Sequence, residues 1–322
     1  VGLFNFNLES EIIKLHSELE NKTYTPGRYK TFMVYDTKPR QISAAPYRDR
    51  VVHHCLCNII MPLFENTFIY DSYANRIDKG THKAIKQFQN FMRCNKYVLK
   101  CDIKKYFSSI DHRILKDMLH KKIRCNDTRW LMDIIIDNSN PQEFVNDYFD
   151  GDDLFTPQER RKGIPIGNLT SQYFANIYLN DFDHWIKEKI RCKYYIRYVD
   201  DFVILDNDKT KLNELKFMIS EYLQNLRLKI HTNKSQVYQV KSGVNFLGYK
   251  VFKMHRLLLN SAVIRFMKRM RYYQKQYYDW NLELEKLLMS FQSWNAFAAF
   301  GNTNRLRKEL YDNLAYIRSE KL

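Results

Sequence analysis

Glycine and proline are scarce, 9 and 7 of 322 residues. That excludes collagen-like and Pro/Gly-rich disordered chains and favours a compact, helix-rich one with little disorder. The six cysteines, Cys55, Cys57, Cys94, Cys101, Cys125 and Cys192, make no C-x-x-C pair, and no histidine pairing completes one. A zinc site of that kind is therefore excluded. Scattered through a chain this long, they read as reduced, mostly core thiols of a cytoplasmic protein. His53-His54 beside Cys55 and Cys57 could form a ligand cluster. The preferred reading is an apolar helix, Val51 to Phe64, that carries small buried residues. No stretch reaches the roughly 18 apolar residues of a spanning helix, so no membrane partner is expected. The start carries no signal-peptide pattern. Internal repeats and low-complexity segments are lacking too.

What is abundant is positive charge and aromatic surface. Lys and Arg number 52 against 36 Asp and Glu, a formal net charge of +16, and Tyr and Phe number 23 and 21. Cations neutralise phosphates and rings stack on bases, so this balance suits nucleic acid. Residues 255–322 concentrate it, with 12 Lys or Arg against 6 Asp or Glu on a helical pattern.

Apolar spacing at Leu8, Ile12, Leu15 and Leu19 predicts a helix over 8–20. Tyr24-Thr25-Pro26-Gly27 is a turn, and residues 29–52 hold short extended runs. Helices are predicted from about Arg50 to Glu65 and from Lys79 to Met92. Tyr97 to Ile103 reads as a short buried strand. Ser108 or Ser109 is expected to cap a helix through His120, and residues 138–162 to form a surface loop. Phe174, Ile177, Tyr178, Phe182, Trp185 and Ile186 predict one long amphipathic helix. Two β-rich runs, Tyr194 to Val199 and Phe202 to Leu205, flank Asp200-Asp201, so a hairpin tip is predicted there. A helix from Lys211 to Leu226 and strands within 236–252 follow.

Two adjacent carboxylates at a tip repel each other unless a cation joins them, and hard oxygen ligands suit Mg²⁺. A solvated Asp-Asp turn is the plain alternative. Asp102 strengthens the first reading, because it ends a second buried strand. In a two-metal mechanism ions about 3.5–4 Å apart clamp the attacking and leaving oxygens. Phosphoryl transfer asks mainly for positioning and charge neutralisation. Asp102 as a helix-capping acid is the competing reading.

Lys100-Cys101-Asp102-Ile103-Lys104-Lys105-Tyr106-Phe107 resembles the first palm motif of reverse transcriptases. Gly163-Ile164-Pro165-Ile166-Gly167-Asn168-Leu169-Thr170-Ser171-Gln172 resembles their second, and Tyr198-Val199-Asp200-Asp201-Phe202 their third. Lys234 and Phe246-Leu247-Gly248-Tyr249 resemble the next two. Order and spacing match over residues 24–252, and Ser290 to Leu310 resembles the corresponding segment of bacterial members. Ile166 stands where most of the family has Gln, and Ser171 is followed by Gln172 where group II intron enzymes have Ser-Pro. That pattern, with Pro46 to His54, resembles the reverse transcriptases of diversity-generating retroelements.

The resemblance implies an α+β right-hand polymerase with a small antiparallel palm sheet and a helical thumb. Fingers would be residues 1–96 and 113–162, palm 97–112 and 163–252, thumb 253–322. It implies RNA-directed DNA synthesis from dNTPs, with template RNA and cDNA as partners. Two Mg²⁺ ions, or Mn²⁺, would sit on Asp102, Asp200, Asp201 and the Ile103 backbone. It further implies mutagenic retrohoming, error-prone at template adenines, with a small basic accessory protein. A related reading is an antiphage-defence enzyme bound to its own structured noncoding RNA. A reading of another class is a non-catalytic RNA-binding assembly protein with a palm-like fold. No ribonuclease H, endonuclease or maturase-like extension is expected within the chain.

Residue by residue, Lys38 and Arg40 match cations that grip the incoming triphosphate; an ordinary basic loop explains them equally. Phe107 matches the residue that blocks a ribose 2′-hydroxyl, and core packing is compatible with that. Lys234 matches a proton donor to departing pyrophosphate, or is a surface lysine. Ile166, Gly167 and Gln172 would border the nascent base pair, with Gly167 permitting close backbone approach. Tyr73-Ala74-Asn75-Arg76 resembles a fingers motif that touches the template.

Overall fold

Alternating and β-branched runs form nine strands among the described residues of this computed structural model, which are 2–35, 39–140, 142–312 and 319. Strands β1 (Lys30–Tyr35) and β2 (Pro39–Ala44) make an antiparallel hairpin. Strands β3 (Tyr97–Asp102), β4 (Tyr195–Tyr198), β5 (Asp201–Asp206) and β6 (Gln236–Gln239) form a sheet in the order β4–β5–β3–β6. Strands β7 (Val244–Phe246), β8 (Tyr249–Val251) and β9 (Arg256–Leu258) form an antiparallel three-stranded sheet. Helices supply most of the remaining regular structure. The expected α+β class with small antiparallel sheets is thus what the chain adopts.

The chain divides into two compact units, Val1–Gly80 with Leu99–Ile204 and Thr210–Gln236, and Thr81–Val98 with Leu205–Lys209 and Val237–Leu322. The core of the first is built on the Leu169–Tyr178 helix, in which every residue from Tyr173 to Tyr178 is buried. A helix apolar on all sides needs neighbours on all sides. Tyr178 satisfies its hydroxyl internally, donating to the Leu226 carbonyl at 2.7 Å. The Tyr47–Glu65 helix adds Val52, Leu56, Cys57, Ile60 and Phe64 to the core. Each such side chain contributes about 1.5–3 kcal/mol on burial.

In the second unit the Thr81–Cys94 helix buries Ala84, Ile85, Phe88, Gln89 and Met92. Gln89 Nε2 donates to the Phe252 carbonyl at 2.9 Å, and Phe88 packs on Phe246. The β7–β8 link is a two-residue turn, Leu247-Gly248, with φ of 47° and 90°. Both central residues are left-handed, as tight hairpins require, which explains the glycine in Phe246-Leu247-Gly248-Tyr249. Helices Asn260–Tyr278, Leu284–Ala299 and Asn304–Asp312 follow. The first and second lock through Phe266 stacked on Trp294 at 3.8 Å.

Three expectations need correction. Neither Ser108 nor Ser109 caps the helix that follows. Both lie in a one-turn helix, Tyr106–Ser109, and Asp111 caps His112–Lys122 by accepting from the Arg113 and Ile114 amides at 2.9 and 3.1 Å. A carboxylate that takes two orphan N–H groups is the stronger cap. The predicted long helix is three consecutive pieces, Leu169–Tyr178, Asn180–His184 and a π-helical turn Trp185–Lys189. Apolar spacing survives such a break, so periodicity alone cannot reveal it. None of the six cysteines forms a disulfide, but only Cys57 and Cys101 are buried, so most are not core residues. His53 is buried in its helix while His54 and Cys55 face solvent, as the helical reading required.

Candidate active site

The β4–β5 hairpin puts Tyr198 opposite Asp201 and leaves Val199 and Asp200 as its two-residue loop. Val199 adopts φ 57°, a left-handed conformation that a β-branched side chain rarely accepts. Strain of this kind concentrates at functional sites. β3 ends alongside: the Ile103 amide donates to the Asp200 carbonyl at 3.3 Å. Residues 229–234 run past the same strand end. The Lys104 amide donates to the Lys229 carbonyl at 2.8 Å, and the His231 amide to the Asp102 carbonyl at 2.7 Å. This register delivers Lys234, whose ammonium pairs with the Asp102 carboxylate.

Asp102, Asp200 and Asp201 are therefore brought together, each half-buried. Burial raises the Asp200 carboxyl to about 6, and the negative charges of Asp102 and Asp201 add to that rise. The Asp201 carboxyl is also raised, first by burial; Lys100, 3.5 Å away, opposes the shift. Arg40 on β2 lowers the Asp200 carboxyl, so its charge is felt at the centre. Among the described residues no three His, Cys, Asp or Glu side chains stand as a ready metal cage. Lys100 and Lys234 hold two of the three acids instead. The donor set itself is hard oxygen that repels in the absence of added positive charge, which fits divalent magnesium or manganese.

The second motif reaches this centre through the backbone. The Ile164 amide donates to the Phe107 carbonyl at 2.9 Å, and the Ser43 amide to the Ile166 carbonyl at 2.9 Å. Asn168 clamps the end of β2 by donating to the Ser43 carbonyl and accepting from the Ala45 amide. Gly167 has φ 116°, and a Cβ there would lie 2.8 Å from Ile42 Cγ2. Conformation and packing against the β1–β2 hairpin thus both demand glycine. Phe107 and Ile166 are half-buried, Gly167 is exposed, and Gln172 is half-buried on the Leu169–Tyr178 helix. Lys38 lies outside the described residues. Arg76, in the motif expected to touch the template, is half-buried and bonds to Glu65 and to the Ile69 and Ser72 carbonyls.

Sequence reasoning missed what lies beneath the tip. Arg197 and Asp183 are both fully buried and form a bidentate pair, with Nε–Oδ1 at 2.7 Å and Nη2–Oδ2 at 2.6 Å. Tyr195 donates its hydroxyl to Asp183 at 2.6 Å, and Arg197 Nη1 donates to Asn176 Oδ1 and to the Val199 carbonyl, both at 3.1 Å. The signal was there: one Arg inside the apolar run Tyr195–Tyr198 and one Asp between Phe182 and Trp185. Two lone opposite charges in buried segments ask to be paired.

The described residues of this fold are similar to those of a known class of molecule. Apo telomerase from Candida tropicalis aligns with a TM-score of 0.54 at 13% identity, covering 89% of this chain and 62% of that one. At that identity the likeness establishes the fold. The chain belongs to the family described as reverse transcriptase (RNA-dependent DNA polymerase), whose model matches residues 30–251. Curated relatives include the COX1/OXI3 intron 2 protein of Saccharomyces cerevisiae, 24% identical over 271 residues. That alignment covers 66% of this chain and 30% of the relative. The group II intron-encoded protein LtrA of Lactococcus lactis subsp. cremoris is 19% identical over 311 residues, 76% of this chain and 50% of LtrA. The chain thus spans half or less of either relative. No helix among the described residues is long and apolar enough to cross a membrane.

Proposed function

We propose that the chain is an RNA-directed DNA polymerase that extends a primer along an RNA template with dNTPs. The observation that carries this is the convergence of Asp102, Asp200 and Asp201 at adjoining strand ends, in a chain of this family. In this reading the three carboxylates and the Ile103 carbonyl hold two divalent ions. Those ions supply activation of the primer 3′-hydroxyl and charge neutralisation at the triphosphate. Lys100 and Lys234 pair with Asp201 and Asp102 until then, and Lys234 would hand a proton to pyrophosphate. Arg40, with Lys38, grips the triphosphate. Phe107 excludes a 2′-hydroxyl, and Ile166, Gly167 and Gln172 border the nascent pair.

Fingers at 1–96 and 113–162, palm at 97–112 and 163–252, and thumb at 253–322 complete the assignment. The Asn260–Tyr278 helix supports a nucleic-acid role for the last part: it carries Arg265, Lys268, Arg269, Arg271 and Lys275, all exposed, and no acid. Ile166 in place of Gln supports mutagenic copying at template adenines in a diversity-generating retroelement, with a small basic accessory protein or a structured RNA as partner and the cytoplasm as location. Primer extension on a defined RNA with Mg²⁺ and dNTPs tests the core of this reading. Absence of extension under varied primers and metals would refute it.

A further inference from the structure

Between Glu143 and Asp153 the chain has five acids and no base, although its net charge is +16. Among the described residues no helix or strand forms between Asp137 and Thr156. Of residues 142–156 only Val145 is buried, and Phe144, Leu154 and Phe155 stand in solvent. A segment with so little apolar burial must be held by something else.

What holds it is a row of lysines in the same unit. Asp147 Oδ1 receives Lys104 at 3.2 Å and Lys229 at 3.4 Å. Lys105 pairs with Glu143 at 2.7 Å and donates to the Phe144 carbonyl at 2.9 Å. The Lys229 ammonium also lies 5.1 Å from the centre of the Phe149 ring. These lysines border the candidate active site. Lys104 and Lys105 follow Asp102 by two and three residues, so their Cα atoms lie within about 11 Å of its own. Lys229 is drawn alongside, because its carbonyl accepts from the Lys104 amide while the Asp102 carbonyl accepts from the His231 amide. A strand seated at Asp102 brings phosphates within reach of ammonium groups that the acids of the segment already engage.

We propose that residues 143–153 form an electrostatic strap. Glu143 and Asp147 occupy Lys104, Lys105 and Lys229 in the manner of strand phosphates, and a nucleic-acid strand displaces them on its way to the candidate active site. The proposal rests on the polymerase reading for the place of that strand. Release is easy, since half-exposed ion pairs are individually weak and one valine is the only buried anchor. A strand offers many phosphates at once, and its contacts release counterions, so it outcompetes two carboxylates. The strap thereby lowers affinity for nucleic acid in general and keeps the lysines covered until a strand arrives.

Anisotropy of a fluorescent single-stranded RNA tests this, on the nuclease-treated full chain in EDTA. Glu143→Gln with Asp147→Asn should bind about threefold to tenfold tighter than wild type at low salt, and the gain should shrink as salt rises. Asp117→Asn with Asp150→Asn removes the same charge from acids that pair with none of the three lysines, and should stay within about twofold of wild type. In a Lys104→Met, Lys229→Met background, Asp147→Asn should bring no gain. If the first pair of changes unsettles the fold, Glu143→Gln alone, at an exposed position, carries the test. Chymotrypsin should cut the segment faster once RNA is bound. Unchanged or weaker affinity in the strap variants, an equal gain in the control pair or in the lysine-free background, or protection of the segment by RNA would overturn the proposal. Binding is read without metal or nucleotide, so a chain that fails to extend a primer can still pass this test, and one that extends can still fail it.

Discussion

One hairpin carries two charged groups with opposite fates. At the base of β4–β5, Arg197 and Asp183 are wholly buried, yet each polar atom involved has a partner, and Tyr195 and Asn176 complete the set. At the tip, Asp200 and Asp201 are crowded by Asp102 and by burial, and two lysines offset the charge only in part. Val199, strained at φ 57°, is the joint, and Arg197 holds its carbonyl. The base is satisfied and therefore rigid; the tip is unsatisfied and therefore poised for added positive charge. A functional site is dissatisfied by design, and it needs a satisfied support to stay so.

Three variants separate tip from base, and the tip should give the largest effect on activity. Asp200→Ala with Asp201→Ala should cut primer extension by at least about a thousandfold, roughly 4 kcal/mol in the barrier. RNA affinity in a filter or anisotropy assay should stay close to wild type, because the proposed function gives phosphate contact to cations such as those of the Asn260–Tyr278 helix. Extension near the wild-type rate would remove the tip from the chemistry.

At the base the expected loss is of stability. Asp183→Ala strands a buried guanidinium and should cost about 3–5 kcal/mol. Replacing both partners, Asp183→Leu with Arg197→Met, should cost much less, since no charge is left unpaired. Urea unfolding of the three proteins reads this directly. If the single and double variants lose equally, the pair matters as packing and not as charge.

A third buried titratable group, His53, has neither the base's partners nor the tip's chemistry. Burial holds its ring at about 4, against 6.5 in the unfolded chain, and its Nδ1 has no hydrogen-bond partner. The unfolded chain therefore binds the extra proton first as pH falls. His53 costs nothing above about pH 7, and stability is lost progressively from about 6.5 down to 4. The full difference of 2.5 units corresponds to about 3 kcal/mol. Urea midpoints at pH 7.5 and 5 should draw together in His53→Leu. An acid sensitivity equal to wild type would assign it to other groups, the raised carboxyls of the tip being the next candidates.

Much of this was readable in the residues, and the failures are instructive. Asp102 at a strand end and Asp200-Asp201 between β-rich runs were legible because a strand's period and a turn's acids are local signals. The α+β class was implied by the family resemblance of the motifs. The Asp111 cap was missed because two serines offered a conventional cap two and three residues earlier, and only tertiary packing decides which turn continues. The break at Leu179 left apolar spacing intact. Arg197–Asp183 joins residues 14 apart on different elements, a pairing that no window on the sequence contains. Lys100 was quoted within its motif without a role; its reach to Asp201 depends on the β5–β3 neighbour relation. Asp147 is tied to both Lys104 and Lys229, which no periodicity announces.

The smallest expected effect lies beside the tip and bears on accuracy rather than rate. Ile166 precedes Gly167, and its carbonyl is pinned by the Ser43 amide at 2.9 Å. The backbone here is fixed by β2, by Asn168 and by the glycine that Ile42 demands. A change of side chain at 166 should therefore leave the backbone in place. Ile can only pack, whereas a glutamine at this half-buried position can also hydrogen-bond an incoming nucleotide. One such bond is worth about 0.5–1.5 kcal/mol, or several-fold to tenfold in discrimination. Ile166→Gln should accordingly lower misincorporation by that factor, mainly opposite template adenine, with extension retained. Sequencing cDNA from both proteins on one template measures it. Fewer errors spread evenly over all four bases would support the hydrogen bond but sever it from adenine. An identical error spectrum with full activity would leave Ile166 as packing against the hairpin and move the control of accuracy to Arg40, whose charge already reaches Asp200.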